Sequence, residues 1–578
     1  MTIETDKNRK TIAEVILNVL ALALLIFVMT RNIGLDNMPA LMNDEFGYWG
    51  NAVSLTDIDW SPLREQTPYY SNGYSFVLAF LIMIMKAADF SSVYRAAVCV
   101  NILFICIGYL CAWYCCRVIF EKNPVKTIGV AFISNFAAAT LFYVHMNWPE
   151  AMITMLMWIQ VALFISLVKN FSWIRMGACY LVLVIMYLTH QRAIGVVVVF
   201  FVAMILLLIK NKKKVVYVIP ILAGIAVVFG IQLFSDKFFA HDINVANTTA
   251  NNLMGKPSGT FERYKTMVVD HFPLLIYSFA GKLFCANITS LGLWLLPIVS
   301  FVKRVISSVK NKKADLSDEC LIEFFLAGSF VVMLLLNSVT TLPASRKDLI
   351  VYTRYMDYAF GPLCILMIDI FLKDARRYLG WIVGGFVYTA AISLLIQYRF
   401  ETVAAGFSIY CSPVVGSFFR LCSNDERIVA FLCVMLLTVA LIMIFGIMSL
   451  KSEKMRLSMI LLVFIIANLF SYHYACDWLE GNRNHYHRGI DPIFEKIDEY
   501  PDHKIYFIKD DENYRYSTYP KYLQFVLEGR TVEVIEKASE LPAEGEYFVL
   551  TNIPEDAEYY KGQLLERSDL LELFIVKA

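Results

Sequence analysis

Apolar runs of about twenty residues recur along this chain, and most are closed off by clusters of lysine and arginine. The first run extends roughly from Thr11 to Thr30, and about 20 apolar residues suffice to cross the hydrocarbon of a bilayer. In lipid the backbone must satisfy its own hydrogen bonds, so such runs are constrained to be helices. The chain therefore reads as an α-helical polytopic membrane protein. Composition agrees: 58% of the 578 residues are hydrophobic and 17% charged, against roughly 45–50% and 25% in soluble domains. A net charge of +1 carries no nucleic-acid signature. The first run is too long, and lacks the small-residue cleavage site, for a removable signal peptide.

Topology follows from the basic clusters. They fall at Lys7/Arg9/Lys10, Arg117/Lys122/Lys126, Lys169/Arg175, Lys210/Lys212/Lys213/Lys214, Lys303/Arg304/Lys310/Lys312/Lys313, Lys373/Arg376/Arg377 and Lys451/Lys454/Arg456. All seven belong on the cytoplasmic side by the positive-inside rule, so an even number of crossings must separate neighbours. Spans near 11–30, 94–116, 127–144, 150–168, 176–189, 193–209, 215–234, 286–302, 321–341, 358–372, 379–396, 428–449 and 457–473 satisfy this, about thirteen in all. The N-terminus is then cytoplasmic and the C-terminus outside. The stretch Tyr74–Met85, about a dozen residues, is too short to cross and reads as a membrane-surface helix. It lies in a long first external loop, 31–94, whose acids are Asp36, Asp44, Glu45, Asp57, Asp59, Glu65 and Asp89.

After residue 473 the pattern changes. Ile505–Ile508, Val532–Ile535, Tyr547–Leu550 and Leu573–Val576 are short β-type runs between charged connections. Residues 1–473 thus form a transmembrane domain, and 474–578 a small extracytoplasmic α/β domain. There is no GxGxxG or Walker motif, and no repeat of the kind that marks transporters with two related halves. The thirteen cysteines are scattered without metal spacing; Cys411 and Cys422 are close enough in sequence to pair in one external loop.

Chemistry gathers in the external loops. Asn43-Asp44-Glu45-Phe46-Gly47-Tyr48-Trp49 places two adjacent carboxylates just beyond the first span, and acids beside hydrocarbon are functional candidates. In the second loop, Asn147-Trp148-Pro149-Glu150, the acid opens the next span, where helix capping is the alternative reading. The third, Thr189-His190-Gln191-Arg192, puts an arginine at a helix start against the dipole, calling for an anion or for snorkelling to headgroups. The fourth holds Phe261-Glu262-Arg263-Tyr264-Lys265, and the fifth Arg354-Tyr355 at a span entrance. Arginines there suit phosphate, which they grip with two hydrogen bonds.

This arrangement resembles the membrane-embedded C-type (GT-C) glycosyltransferases, including protein O-mannosyltransferases and aminoarabinose transferases. Asp44-Glu45-Phe46-Gly47-Tyr48 matches their acid in the first external loop, and Tyr69–Met85 the surface helix after it. Asn147-Trp148-Pro149-Glu150 matches the second acid past the third span. Leu188-Thr189-His190-Gln191-Arg192 is similar to their Leu-Thr-Lys-Gly turn, with Arg192 displaced from the lysine position. Thr353-Arg354-Tyr355 with Gly361-Pro362 resembles the entry of a late span. Relatives often carry an acid where this chain has Tyr70-Ser71-Asn72, and Asp is common at the second site where Glu150 stands. These departures from the family pattern argue against a fixed metal ion, so a divalent metal is unsupported and no cofactor is expected.

The resemblance does imply sugar transfer from a polyprenyl-phosphate-linked donor to an extracytoplasmic acceptor, a cell-envelope glycan, lipid or protein, in the plasma membrane. Asp44 is the expected base, with Glu45 or Glu150 in support. Arg192 and Arg354, with Arg263 and Lys265, would hold the donor phosphate. Tyr48, Trp49, Tyr70, Asn72, His190 and Tyr355 would face the sugar or acceptor, interfacial anchoring being the alternative for the aromatics. Two other classes remain open: a transporter or flippase of lipid-linked saccharides, and a polysaccharide polymerase or ligase of another fold.

Overall fold

The structure, a computed structural model, describes residues 2–36, 38–40, 42–58, 60, 71–86, 89–120, 123–211, 218–239, 269, 271–311, 315–341, 347–402, 409–421, 429–488, 490–508, 519–528, 530–551, 562–568 and 571–577. Among the described residues nine helical segments, from Ile12–Leu35 to Glu453–His485, are long and apolar enough to cross a membrane. Three shorter apolar helices, Asn72–Ile84, Trp173–Thr189 and Ile219–Ile231, accompany them. Their outward faces stay apolar, with Ile174 85% and Phe431 70% exposed. Large aliphatic and aromatic surface of this extent belongs against lipid. The protein is a multi-pass helical membrane protein.

Helix length alone does not yield the thirteen crossings expected. The segment Asp357–Tyr398 contains two helices, Asp357–Asp374 and Leu379–Thr402, joined by one short turn, Ala375–Tyr378. The expected span 127–144 is broken into Pro124–Asn135 and Ala138–Tyr143. The expected span 286–302 is misplaced. It straddles the end of Phe272–Ser290 and the start of Leu295–Lys310, because Leu291 and Gly292 both take left-handed backbone (φ 52 and 74) and turn the chain. Hydropathy is blind to such a turn when it is itself apolar.

The loop expected to be the first external one is largely helical where it is described. Helix Asn43–Val53 carries Asp44 and Glu45 in its first turn, where backbone N–H groups favour carboxylates. Helix Asn72–Ile84, 13 residues long, covers the stretch read from sequence as a surface helix. Phe76, Phe80, Met83 and Ile84 face outward, while Tyr74, Leu78 and Ile82 pack inward. Gly73 lets it approach the end of the helix Trp173–Thr189: a Cβ there would stand 2.7 Å from the Thr189 backbone.

The last bundle helix runs unbroken from Glu453 to Arg488, 36 residues, about 54 Å at 1.5 Å per residue. That exceeds the roughly 30 Å of hydrocarbon, so its C-terminal part stands clear of the membrane. The change of composition at residue 474 falls inside this helix. Beyond it lies a five-stranded sheet of order β2-β1-β3-β5-β4, with β1 Lys504–Ile508, β2 Val532–Ile535, β3 Glu546–Thr551, β4 Gln563–Arg567 and β5 Glu572–Lys577. β1 pairs parallel with β2 and β3, whereas β5 pairs antiparallel with β3 and β4. Sequence reading missed β4, which has no β-branched or aromatic residue and is held at the edge by its partner. Helix Tyr519–Val526 docks this unit on the first loop, Phe525 packing against Trp49, Phe90 and Tyr94.

Which side is which is open to a direct test. Single cysteines placed at Asn123 and Asn211 are expected to react only from the cytoplasmic face, and one at Glu544 only from outside. Labelling of Glu544 and Asn211 from the same face would overturn the assigned orientation.

Candidate active site

Four short segments converge at the ends of helices. Asp44 comes from the first turn of Asn43–Val53, and Glu150 opens the helix Glu150–Lys169. Arg192 sits in the single turn Gln191–Ala193, its backbone N–H donating to His190 Nδ1 at 3.2 Å. Arg354 precedes the helix Asp357–Asp374, and its backbone N–H, like that of Thr353, donates to the Cys411 carbonyl.

Arg354 is the hub. Its side chain is 1% exposed; Nη1 donates to Asp44 Oδ2 at 2.5 Å and Nε donates to Glu150 Oε1. The guanidinium lies 3.6 Å from the centre of the Trp148 ring. Arg354 and its two carboxylates sum to one negative charge, which Arg192 beside Glu150 offsets, and removing the buried Arg354 would leave carboxylate charge uncompensated. Arg192 lies over the Tyr355 ring at 3.0 Å, and its Nη1 is 3.8 Å from Glu150 Oε1. Asp44 differs from its neighbours in access: its side chain is 28% exposed, against 6% for Glu150.

Four buried polar atoms in these groups have no hydrogen-bond partner among the described residues: Glu150 Oε2, Arg354 Nη2, His190 Nε2 and Trp148 Nε1. Burial, with Arg192 and Arg354 adding to it, holds His190 well below the usual histidine range, so its ring is neutral. Buried groups in native proteins are nearly always satisfied, and a cluster of open ones marks where a polar ligand or water completes the structure. Among the described residues no three carboxylate, histidine or cysteine groups come together to hold a metal ion.

Glu45 faces the other way from Asp44 and is fully buried. It accepts from Tyr94 Oη at 2.6 Å, from the Asn147 N–H at 2.7 Å and from the Ala40 N–H at 2.8 Å. The sequence pairs Glu45 with Asp44 as a chemical group; its contacts make it a structural tie between the segment that follows the first helix and the loop at Asn147. Burial pushes its carboxyl from the ordinary 4.5 up to about 7, against the pull of Arg483 and the three donated hydrogen bonds. A raised value in the folded state means that folding binds the proton more tightly. Glu45 thus supports folding below pH 4.5, and that support is lost as pH rises through about 7. Thermal unfolding of wild type, compared with Glu45→Gln across this window, is expected to show the wild type losing stability relative to the variant as pH rises. A pH-independent difference would show that Glu45 does not titrate there.

Sequence reading missed the group behind Glu45. His145 Nδ1 is 2.5 Å from Asp36 Oδ2, and its Nε2 is 2.7 Å from Tyr472 Oη. Arg483 donates to Asp36 Oδ1 at 2.6 Å, and to Tyr94 Oη and the His145 carbonyl at 2.8 Å each. Arg483 comes from the part of Glu453–Arg488 beyond the expected span, a position whose polar sequence gives no sign of docking.

The remaining expected residues fall in several places. Tyr355 is half-buried beside Arg192. Tyr48 is 1% and Asn72 3% exposed. Trp49 is fully buried, stacked on Tyr94 and edge-on to Phe525; its ring packs against protein and not toward a sugar. Tyr70, Arg263, Lys265 and Cys422 lie outside the described residues.

The architecture, a multi-pass helical bundle with an acid-bearing helix and a second short helix between its first long helices and a small α/β unit after the last, has counterparts among solved membrane proteins. Its likeness is to ArnT from Cupriavidus metallidurans. The structure of ArnT bound to undecaprenyl phosphate matches with a TM-score of 0.53 at 15% identity, over 97% of each chain. The apo structure of ArnT matches with a TM-score of 0.50 at 14% identity, over 98% of each chain. The archaeal oligosaccharyltransferase AglB from Archaeoglobus fulgidus gives 0.41 at 10% identity, over 94% of this chain and 70% of that one, too distant to carry argument. No family model matches the chain, and no curated protein sequence does. At such identities the likeness is one of fold.

Proposed function

We propose that this protein is a glycosyltransferase of the plasma membrane, moving a sugar from a polyprenyl-phosphate-linked donor to a hydroxyl acceptor outside the cytoplasm. The observation that carries the reading is the cluster of Asp44, Glu150, Arg354 and Arg192 at the helix ends, with the Asp44 side chain 28% exposed and with Glu150 Oε2 and Arg354 Nη2 buried and unpartnered among the described residues. It occurs in a fold shared with ArnT, one structure of which is bound to undecaprenyl phosphate.

Asp44 takes the acceptor proton as the acceptor oxygen attacks the anomeric carbon. The bond from that carbon to the phosphate oxygen breaks, and polyprenyl phosphate leaves. Arg354 holds Asp44 and Glu150 in register, a positioning role, while Arg192, less enclosed, meets the charge growing on the phosphate. Arg263 and Lys265 keep their assignment to the donor phosphate on sequence grounds alone. The small α/β domain, on the same side as this cluster, is extracytoplasmic.

Transport is the competing reading. The charged cluster lies at helix starts and loop turns, whereas substrate sites of transporters lie near the bilayer midplane, so transfer is favoured. Incubating the purified protein in nanodiscs with radiolabelled polyprenyl-phosphate sugars and a lipid or glycan acceptor tests the proposal. Donor consumption with formation of a glycosylated product is expected. Movement of intact donor between leaflets, without cleavage, would replace the reading with flipping.

A further inference from the structure

At the other end of the bundle the structure holds a polar cavity of about 660 Å³ that the proposed reaction does not use. Helix Asp357–Asp374 starts three residues after Arg354 and ends three before Arg377, so about 27 Å of helix separates the two sites. One wall is a single stripe of the helix Leu295–Lys310 and the residue after it: Ser300, Lys303, Arg304, Ser307, Ser308 and Asn311. These recur at the three- and four-residue spacing of one helix face. Arg377 and Tyr378, from the turn after Asp357–Asp374, complete the lining with Asp315 and Leu316.

The helix is amphipathic in an unusual sense. Val302, Val305, Ile306 and Val309 on its other face are exposed, which places that face in lipid and turns the charged stripe inward to the cavity. Charge in the cavity is unbalanced. Arg304 is held by Asp315 and Glu323, each at 3.2 Å. Among the described residues neither Lys303 nor Arg377 pairs with a carboxylate, and Lys303 Nζ lies 4.4 Å from the centre of the Tyr378 ring. Two cations without a carboxylate partner among the described residues, a net excess of positive charge, and several hydroxyls suit a phosphate. The lipid-facing stripe on the same helix lets acyl chains lie alongside.

We propose that this cavity binds the phosphate headgroup of an anionic phospholipid from the leaflet opposite the candidate active site. Basic pockets between membrane helices bind such headgroups. The proposal does not depend on glycosyl transfer and is read without it.

Native mass spectrometry of the purified full chain, titrated with phosphatidylglycerol and with phosphatidylcholine of the same acyl chains, measures the preference. Retention of phosphatidylglycerol about tenfold above phosphatidylcholine is expected, with each of Lys303→Gln and Arg377→Gln reducing it about fivefold, the factor for about 1 kcal/mol per basic residue. Lys310→Gln, on the same helix but outside the cavity lining, should retain the preference. Thermal unfolding without added lipid verifies that the variants are folded. Equal retention of the two lipids, or an equal loss in Lys310→Gln, overturns the proposal. Stabilisation by millimolar inorganic phosphate without any preference between lipids overturns the lipid source.

Discussion

Replacing Arg354 with alanine is expected to destabilise the protein by about 3–5 kcal/mol and to abolish transfer. Removing one partner of a buried ion pair costs this much because the other charge is left without compensation. Here two carboxylates, Asp44 and Glu150, lose their shared cation at once, and the Trp148 ring loses the group stacked on it. Arg354→Lys separates charge from geometry. Lysine keeps the charge but is a point donor on a flexible stem and cannot present two N–H groups in fixed directions to two acids. The lysine variant should therefore recover most of the stability and little of the activity. Arg354→Ala/Glu150→Gln, which removes one orphaned charge, should be more stable than Arg354→Ala alone. Thermal unfolding in detergent, set beside single-turnover transfer, checks all three. An unfolding temperature for Arg354→Ala equal to that of wild type would show that the cation is not what holds the two acids.

These expectations rest on positions that stand out in the sequence, and the reason is physical. Asp44, Glu150, Arg192 and Arg354 are charges beside apolar runs, where an uncompensated charge is costly, so each is conspicuous from its neighbours in the chain alone. Their pairing is not. Nothing in the sequence links residue 44 to residue 354; that is decided by how the bundle closes. Trp49 shows the opposite failure. An aromatic next to two acids in an external loop looks like a sugar platform, but helix Asn43–Val53 turns it inward to the Tyr94 and Phe525 rings. Arg483 is hidden because it lies in a polar stretch, and only continuation of Glu453–Arg488 beyond the membrane carries it back to Asp36 and Tyr94. Hydropathy locates the apolar runs well and the helix breaks poorly, since the turn at Leu291-Gly292 is as apolar as the helices it joins.

Asp44→Asn is the sharper test of chemistry, because it changes least. Asparagine has the shape of aspartate, and its carbonyl oxygen can still accept from Arg354 Nη1. The side chain is 28% exposed, Arg354 keeps Glu150 and asparagine still accepts its hydrogen bond, so the stability lost should be about 1 kcal/mol, the scale of one hydrogen bond. What asparagine cannot do is take the acceptor proton. Losing a general base typically costs 10²–10⁴-fold, so turnover should fall at least about a hundredfold. The loss should appear in kcat, with donor binding close to that of wild type, since the phosphate is met by arginines. Asp44→Glu moves the carboxylate by one methylene and should restore part of the rate, an outcome that a purely structural role for Asp44 would not produce. Near-wild-type turnover by Asp44→Asn would remove Asp44 from the base role. Glu150 would then be the carboxylate to examine, because its Oε2 has no partner among the described residues and lies in the same cluster.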